Sequence, residues 1–261
     1  MCPLAIRATV LSLKDLDGRP IESGFDFKEV MMLTETVCMR KRIQFYCLGL
    51  LLITILPVSA LAQGDKKAAY AVLIDNTGSL RTQFPQVNAF SKEIVTRIYQ
   101  RGPVSIFNFK TQGKTAIVTP GVAWSEDINT LDNYIDTLFV QPGLTTLRDA
   151  IYSMAESLNT KVSPDSKAFS EKVIFLITDG EDRSSKIAQN QLLKKLEETG
   201  VTVYAVGLVQ ELDRDSIIRK NHRSDAEKFL KTITSATGGR VEFPNSGERN
   251  AARVIDALFK K

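Results

Sequence analysis

From Ala68 to the end of the chain, apolar runs of strand length alternate with amphipathic segments of helix length. This alternation predicts an α/β domain with mainly parallel strands, because each parallel connection needs a crossover that is usually a helix. We expect one doubly wound domain with a mainly parallel central sheet, one short antiparallel edge strand and helices on both faces. The predicted strands are "YAVLID", "VSIFNF", its hairpin partner "TAIVT", "KVIFLIT", "VTVYAVGL" and the edge strand "RVEF".

Six segments between and after these strands repeat apolar residues at helical spacing. Such spacing places the apolar side chains on one face of a helix, where they can pack against a sheet. No internal repeat interrupts the pattern, so a single domain accounts for residues 68–261. The predicted helices cover residues 85–99, 127–138, 145–158, 187–198, 224–236 and 248–259.

The residues before this domain have the pattern of an export signal. Basic residues 40–42 precede an apolar run from Ile43 to Ile55, Pro57 breaks that run, and small residues end it at Ala62. Residues 39–62 are therefore predicted as a signal peptide cleaved after Ala62, or as a membrane anchor if the segment 43–62 stays uncleaved. We expect an exported protein that is periplasmic or secreted.

Residues 1–38 precede this signal and have three possible interpretations. The true start is Met39 and the upstream residues are not translated, or they form a cytoplasmic tail before an anchor, or they are the remnant of another domain. We favour the first interpretation. The three cysteines all lie before residue 62, so a chain that begins at Gln63 needs no disulfide in an oxidising compartment.

Oxygen-bearing side chains follow two of the predicted strands and begin a helix between them. Asp75, Thr77 and Ser79 follow "YAVLI", Asp179 follows "VIFLIT", and Thr145 opens the helix after "QPGL". Ligands bind outside the carboxyl ends of the strands in open sheets of this type, so we expect these side chains to meet there. Two carboxylates and three hydroxyls suit Mg²⁺, and Mn²⁺ or Ca²⁺ less specifically.

Other interpretations of single residues remain open at this stage. Asp75 alone could cap a helix or stabilise a turn, and Thr146 with Asp149 could form a capping box for the helix that follows. Glu181 is predicted to lie with Asp182 on a solvated rim. The single histidine, His222, is predicted to be a solvated loop residue.

The combined motifs resemble the von Willebrand factor A domain, whose metal-ion-dependent adhesion site (MIDAS) has the pattern D-x-S-x-S followed by a separate threonine and aspartate. The matching segments are "DNTGS", "GLTTLRDAI" and "ITDGED", and the resemblance covers residues 68–261, most like the secreted bacterial branch. It implies a Rossmann-like fold. One departure is Thr77, where the family usually has serine. The metal ligands that the resemblance implies are Asp75, Thr77, Ser79, Thr145 and Asp179.

The resemblance also implies a function, which is binding of a protein ligand through a cation that bridges to an acidic side chain of that ligand. The alternatives are a metal-independent scaffold subunit of an envelope complex and a metal-assisted hydrolase. The sequence contains no G-x-S-x-G or H-E-x-x-H motif, so we expect no enzyme and name no catalytic residue. A net charge of +4 with scattered basic residues argues against a nucleic-acid partner.

Overall fold

The central sheet places the ends of its strands where the sequence predicts a site. The computed structural model describes residues 67–162, 169–212, 221–245 and 247–260. Within these residues, seven strands form one sheet in the order β4-β3-β2-β1-β5-β6-β7. The strands are β1 (Lys67–Ile74), β2 (Val104–Gln112), β3 (Thr115–Ser125), β4 (Leu144–Thr145), β5 (Phe169–Thr178), β6 (Val201–Gly207) and β7 (Val241–Glu242).

Strand pairing confirms the predicted fold class. Neighbouring strands pair in parallel, except that β2 and β3 form an antiparallel hairpin. The antiparallel strand differs in detail from the short edge strand that we expected. It has 11 residues and lies one position in from the edge, because β4 pairs with it through Leu144 and Thr145. The strand β4 was not predicted, because Thr145 was expected to begin a helix.

Six helices in the described residues match the six predicted segments to within a few residues at each end. The C-terminus of one predicted helix is fixed by Gly200, whose φ of 62° is accessible to glycine without the strain that a side chain adds. Short 3₁₀ helices at Gly78–Gln83 and Val209–Glu211 were not predicted. The helices are α1 (Phe84–Ile98), α2 (Ile128–Thr137), α3 (Leu147–Val162), α4 (Gln189–Thr199), α5 (His222–Ala236) and α6 (Ala251–Phe259).

The sheet separates two apolar cores, as a doubly wound fold requires. Helices α1, α2 and α6 pack on one face, and α3, α4 and α5 pack on the other. The central strand β1 contributes to both cores, because successive side chains point to opposite faces. Val72 and Ile74 face the first core, whereas Ala71 and Leu73 face the second. This burial holds the carboxyl end of β1, where Asp75 follows, in a fixed position.

The described residues all lie in one compact unit, residues 64–261. None of the helices in this part of the chain is both long and apolar enough to cross a bilayer. The upstream segment 1–38 and the signal peptide or anchor 39–62 lie outside the described residues. Those two assignments, and the boundary proposed at residue 68, remain predictions.

Two adjacent glycines before β7 give a test of the fold. A Cβ on Gly239 would lie 1.9 Å from the carbonyl oxygen of Val203, whereas a Cβ on Gly238 meets nothing within 4 Å, although its φ is +74°. We expect Gly239→Ala to lower the free energy of unfolding by about 3 kcal/mol, because backbone must move. Gly238→Ala should lower it by about 1 kcal/mol through backbone strain alone. Urea unfolding of the described domain measures both, and equal losses would contradict the packing at Gly239.

Candidate metal centre

Asp75 is fully buried at the carboxyl end of β1 and its carboxylate is held by three protein donors. Oδ1 accepts hydrogen bonds from the hydroxyl of Thr77 at 2.7 Å and from its backbone N–H at 3.1 Å. Oδ2 accepts one from the hydroxyl of Thr178 at 2.6 Å. Burial raises the pKa of Asp75, and the hydrogen bonds from Thr178 and Thr77 partly oppose that rise. The side chain is therefore fixed in orientation before any ligand arrives.

Three hydroxyl groups gather next to this carboxylate. The Oγ1 atom of Thr77 lies 3.4 Å from the Oγ of Ser79 and 3.2 Å from the Oγ1 of Thr145. Thr77 and Thr145 are buried, while Ser79 is exposed. The cluster is thus closed on the side of the sheet and open to solvent on the side of Ser79.

Asp179 follows β5, the neighbour of β1, and is also buried. Its Oδ1 accepts the backbone N–H of Glu181 at 2.9 Å, but its buried Oδ2 has no hydrogen-bond partner among the described residues. Burial, and then the negative charge of Asp75, raise the pKa of Asp179 to about 7, against a smaller opposing effect of the Ser79 hydroxyl. A buried carboxylate oxygen without a donor is costly. A cation would satisfy it.

The structure therefore brings all five predicted site residues to one edge of the sheet. The donors are two carboxylates and three hydroxyls, which suit a hard divalent cation. No group of three or more histidine, cysteine, aspartate or glutamate side chains is arranged to hold a metal in the described ranges. Any metal here must rely on the hydroxyls as well as the acids. Their role as ligands remains a prediction.

Asn76 is a site residue that the sequence analysis missed. It is buried, and its Nδ2 donates to the carbonyl oxygen of Phe139 at 2.9 Å while its Oδ1 accepts the N–H of Phe109 at 2.9 Å. Its own carbonyl oxygen accepts the N–H of Gln141 at 2.7 Å. Asn76 thus fastens the segment between α2 and β4 beside the hydroxyl cluster. Its partners are at least 33 positions away, so the sequence alone did not reveal them.

Thr178 was missed for a related reason. Its hydroxyl donates to Asp75 and also accepts the backbone N–H of Gly180 at 3.0 Å. It connects the loop that carries Asp179 to the end of the neighbouring strand. The signal available in the sequence was a hydroxyl residue immediately before Asp179, but β-branched threonine is also an ordinary strand residue.

The loop after Asp179 forms hydrogen bonds to the start of α3. The carbonyl oxygen of Thr145 accepts the N–H groups of Arg183 and Ser184, both at 3.0 Å. Asp182 accepts hydrogen bonds from the backbone N–H of Arg148 at 2.8 Å and from its Nε at 3.1 Å. These contacts fix Thr145 relative to Asp179. They also show that Asp182 is a structural acid rather than part of a solvated rim.

The capping box proposed for α3 does not form. The hydroxyl of Thr146 donates instead to the carbonyl oxygen of Ala116 at 2.8 Å. Asp149 accepts the N–H of Ile187 at 2.8 Å and that of Lys186 at 3.0 Å. Both side chains therefore bind neighbouring segments, and the local interpretation of this motif was wrong.

Glu181 and His222 also differ from the sequence interpretation. Glu181 is buried, its Oε1 lies 2.5 Å from the Nδ1 of His222, and its Oε2 accepts the Nε–H of Arg183 at 2.9 Å. His222 is the first residue of α5 and its side chain is only 18% exposed. The predictions of a solvated rim and a solvated loop histidine were wrong, because the loop after β5 folds back onto the start of α5.

The sequence profile of the von Willebrand factor type A domain matches residues 71–255, more than half of the chain. The chain belongs to this family, and the sheet order and helix layers above are its fold. No curated protein sequence matches the chain significantly.

Three solved structures are similar in fold. Proximal thread matrix protein 1 of the mussel byssus, with a zinc-occupied MIDAS motif, is 17% identical with a TM-score of 0.54, over 74% of this chain and 47% of that one. A von Willebrand factor type A protein of Catenulispora acidiphila is 15% identical with a TM-score of 0.49, over 72% and 41%. Manganese-loaded Plasmodium vivax TRAP protein is 15% identical with a TM-score of 0.45, over 66% and 74%. This chain therefore spans about half of the mussel protein.

The raised pKa of Asp179 predicts how pH affects the metal-free protein. The pKa of this carboxyl is about 7 in the folded protein and near 3.8 in the unfolded chain, so the folded protein binds the proton more tightly. It therefore destabilises the fold as pH rises from about 4 to about 7. With chelator present, we expect Asp179→Asn to melt at a higher temperature than wild type at about pH 8, and the difference to be clearly smaller at about pH 5. A pH-independent difference in melting temperature would contradict this.

The hydrogen bond from Thr178 to Asp75 predicts a second effect. Thr178→Val removes the donor to Oδ2 of Asp75 and leaves that buried oxygen unpaired. We expect the affinity for Mn²⁺ to fall about tenfold or more, as is usual when a residue that orients a ligand is lost. Thr178→Ser keeps the hydroxyl and should retain affinity. Titration calorimetry of both variants measures this, and equal affinities for Val and Ser would show that the hydroxyl does not orient Asp75.

Proposed function

We propose that this domain is a metal-ion-dependent protein-binding module, in which one divalent cation bridges the site to an acidic side chain of a partner protein. The cation would be held by Asp75, Thr77, Ser79, Thr145 and Asp179. The observation that carries the proposal is the unpartnered, buried Oδ2 of Asp179 beside the hydroxyl cluster. A cation at that oxygen would neutralise the two carboxylates, and its outward side would face solvent at Ser79.

The chemistry of the donors favours Mg²⁺ or Mn²⁺, with Ca²⁺ as a less specific alternative. All five donors are oxygens, and Mg²⁺ usually keeps several waters in such sites. The mussel byssus protein, which has a similar fold, holds zinc in its MIDAS motif, and this supports a divalent ion at the same edge of the sheet. One of the remaining water positions is where a carboxylate of a partner would bind.

Binding is favoured over catalysis because the acids and the histidine that lie next to the predicted ligands, in the described residues, are held by other side chains. A general base must lie within hydrogen-bond reach of the proton that it removes. The single histidine contacts Glu181, which is also held by Arg183. Asp182 is likewise engaged, by Arg148. Among the described acids and bases near the site, these contacts leave ligand binding as the best-supported role.

We further propose that the protein is exported and works in the periplasm or outside a bacterial cell. The support is the signal-like segment 39–62, and an uncleaved segment would instead anchor the domain to a membrane. Mass spectrometry of the exported protein tests this, since cleavage would leave Gln63 as the first residue. An amino terminus upstream of residue 43 would favour the anchor.

Metal titration tests the proposed site directly. We expect calorimetry to show one Mg²⁺ or Mn²⁺ bound per chain, and Asp75→Asn to weaken binding by at least about 100-fold, more than the loss of an orienting residue. Asp136→Asn is the matched control, because Asp136 is exposed on α2 and pairs only with Lys92 among the described residues. It should leave the affinity unchanged.

The outcome separates the rival functions. Absence of heat, and of any shift in melting temperature with metal, would favour the metal-independent scaffold. Capture of proteins from the native envelope, with and without chelator, then tests the bridging role. The domain could bind metal and yet capture the partner equally well with chelator present and in the Asp75→Asn variant. That result would restrict the ion to a structural role.

A further inference from the structure

We propose that an exposed apolar surface beside the metal site receives an apolar side chain that lies within a few residues of the acidic residue of the partner. This surface, the apolar edge, consists of Ile117 and Leu144, which strand register places on one face of the sheet, and of Phe139 in the segment that leads to Leu144. The proposal rests on the proposed function and names the kind of protein segment that the site would recognise. Its occupant is a segment of a partner protein with one acidic residue and a nearby leucine, isoleucine or phenylalanine.

The apolar edge contains the exposed large apolar side chains of the described residues. Ile117 is 36% exposed, Phe139 is 66% exposed and Leu144 is 41% exposed. Single exposed apolar residues are common on protein surfaces. Here the exposed ones are confined to β3, β4 and the segment between α2 and β4. Such a concentration next to a binding site is typical of an interaction surface.

Strand register relates this edge to the predicted ligands. Leu144 immediately precedes Thr145 and pairs with Thr115, so Leu144 and Ile117 lie on the same face of the sheet. Phe139 lies two residues before Gln141, which forms an isolated bridge with Thr77. Both Phe139 and Leu144 are therefore within about 12 Å of a predicted ligand, which an extended segment covers in about four residues.

The segment that carries Phe139 is held rigidly, although its side chain is exposed. The carbonyl oxygen of Phe139 accepts a hydrogen bond from Asn76, and the N–H of Gln141 donates to the carbonyl oxygen of Asn76. The hydroxyl of Thr111 donates to the carbonyl oxygen of Pro142 at 2.5 Å. A side chain presented from a fixed backbone loses less freedom on binding, so more of its contact energy contributes to affinity.

The charge around the apolar edge complements an acidic partner. Residues 109–125 and 137–147 contain Lys110 and Lys114 but no aspartate or glutamate, and the flanking Asp127, Asp136 and Asp149 are engaged by other described residues. Lys110 pairs with Ile117 across the hairpin, and the carbonyl oxygen of Lys114 accepts the N–H of Leu144. Both lysines are exposed and make no ion pair with a described residue. A segment that combines negative charge with an apolar side chain fits this surface.

Two labelled peptides test the proposal by fluorescence polarisation in saturating Mn²⁺. One carries a single glutamate with phenylalanine two positions away on each side, and the other has serine in place of both phenylalanines. We expect the first to bind at least about tenfold more tightly, as burial of one large apolar side chain allows. Chelator should abolish binding of both.

Variants assign the preference to the apolar edge. Phe139→Ser combined with Leu144→Ser should reduce the affinity for the phenylalanine peptide to that for the serine peptide. The Mn²⁺ affinity, measured by calorimetry, should not change, and the melting temperature should fall only slightly, because Leu144 is partly covered. Phe139→Leu should keep the preference, and Lys194→Ser, at an exposed position on α4, is the matched control.

The results separate this proposal from the proposed function. Equal affinities for the two peptides, or a preference that remains in the double variant, would contradict the proposed role of the apolar edge. If chelator still abolished binding in that case, the proposed metal bridge would stand. Failure of both peptides to bind the Mn²⁺-loaded domain would also contradict the role of the apolar edge. Self-association that disappears in the double variant, without a peptide preference, would assign the edge to a second copy of the chain. Absence of Mn²⁺ binding by the wild type would reject both proposals.

Discussion

The structure of the site depends on the repulsion between two buried carboxylates, those of Asp75 and Asp179. They follow adjacent parallel strands that are covered on both faces, so neither side chain can turn towards water. The protein supplies three hydrogen bonds to Asp75 but leaves one oxygen of Asp179 without a donor. Burial of this arrangement requires a proton or a cation. The asymmetry suggests a division of roles, in which the fold positions Asp75 and the proposed cation would complete the contacts of Asp179.

The loops around this pair are held by hydrogen bonds that connect distant parts of the chain. Asn76 joins the end of β1 to the segment before β4, and Thr178 joins the end of β5 to Asp75. The backbone of Thr145 is held by the loop that begins at Asp179. Asp75 and Thr145 are therefore fixed through residues that belong to different elements. A binding site that is ordered before its ligand arrives loses less entropy on binding.

The sequence predicted the layers of the fold, and it predicted that five oxygen-bearing side chains meet at one edge of the sheet, because both depend on local patterns. Apolar runs and helical spacing locate strands and helices. The position of Asp75 directly after a buried run then locates a strand end. Asn76 and Thr178 were missed because their roles depend on partners far away in the chain. The two-residue strand β4 was missed because the predicted helix that follows it begins at Thr145. The solvated rim predicted at Glu181 was wrong because tertiary contacts to His222 and Arg183 bury a side chain that its polar neighbourhood suggests is exposed.

The contacts of the acids in "DGED" would allow the acidic partner that we propose to approach this site. Asp179, Glu181 and Asp182 lie within four positions, and together they would repel a carboxylate if all three faced solvent. In the structure, each of the three acids has a separate environment that reduces this repulsion. Asp179 faces the site, where a cation would neutralise it, whereas Glu181 contacts Arg183 and His222. Asp182 contacts Arg148. Since these negative charges are balanced, the exposed lysines of the β2–β3 hairpin make the nearby surface positively charged. The same loop can therefore supply the acid that we propose as a metal ligand and still leave the rim attractive to the acidic partner that we propose.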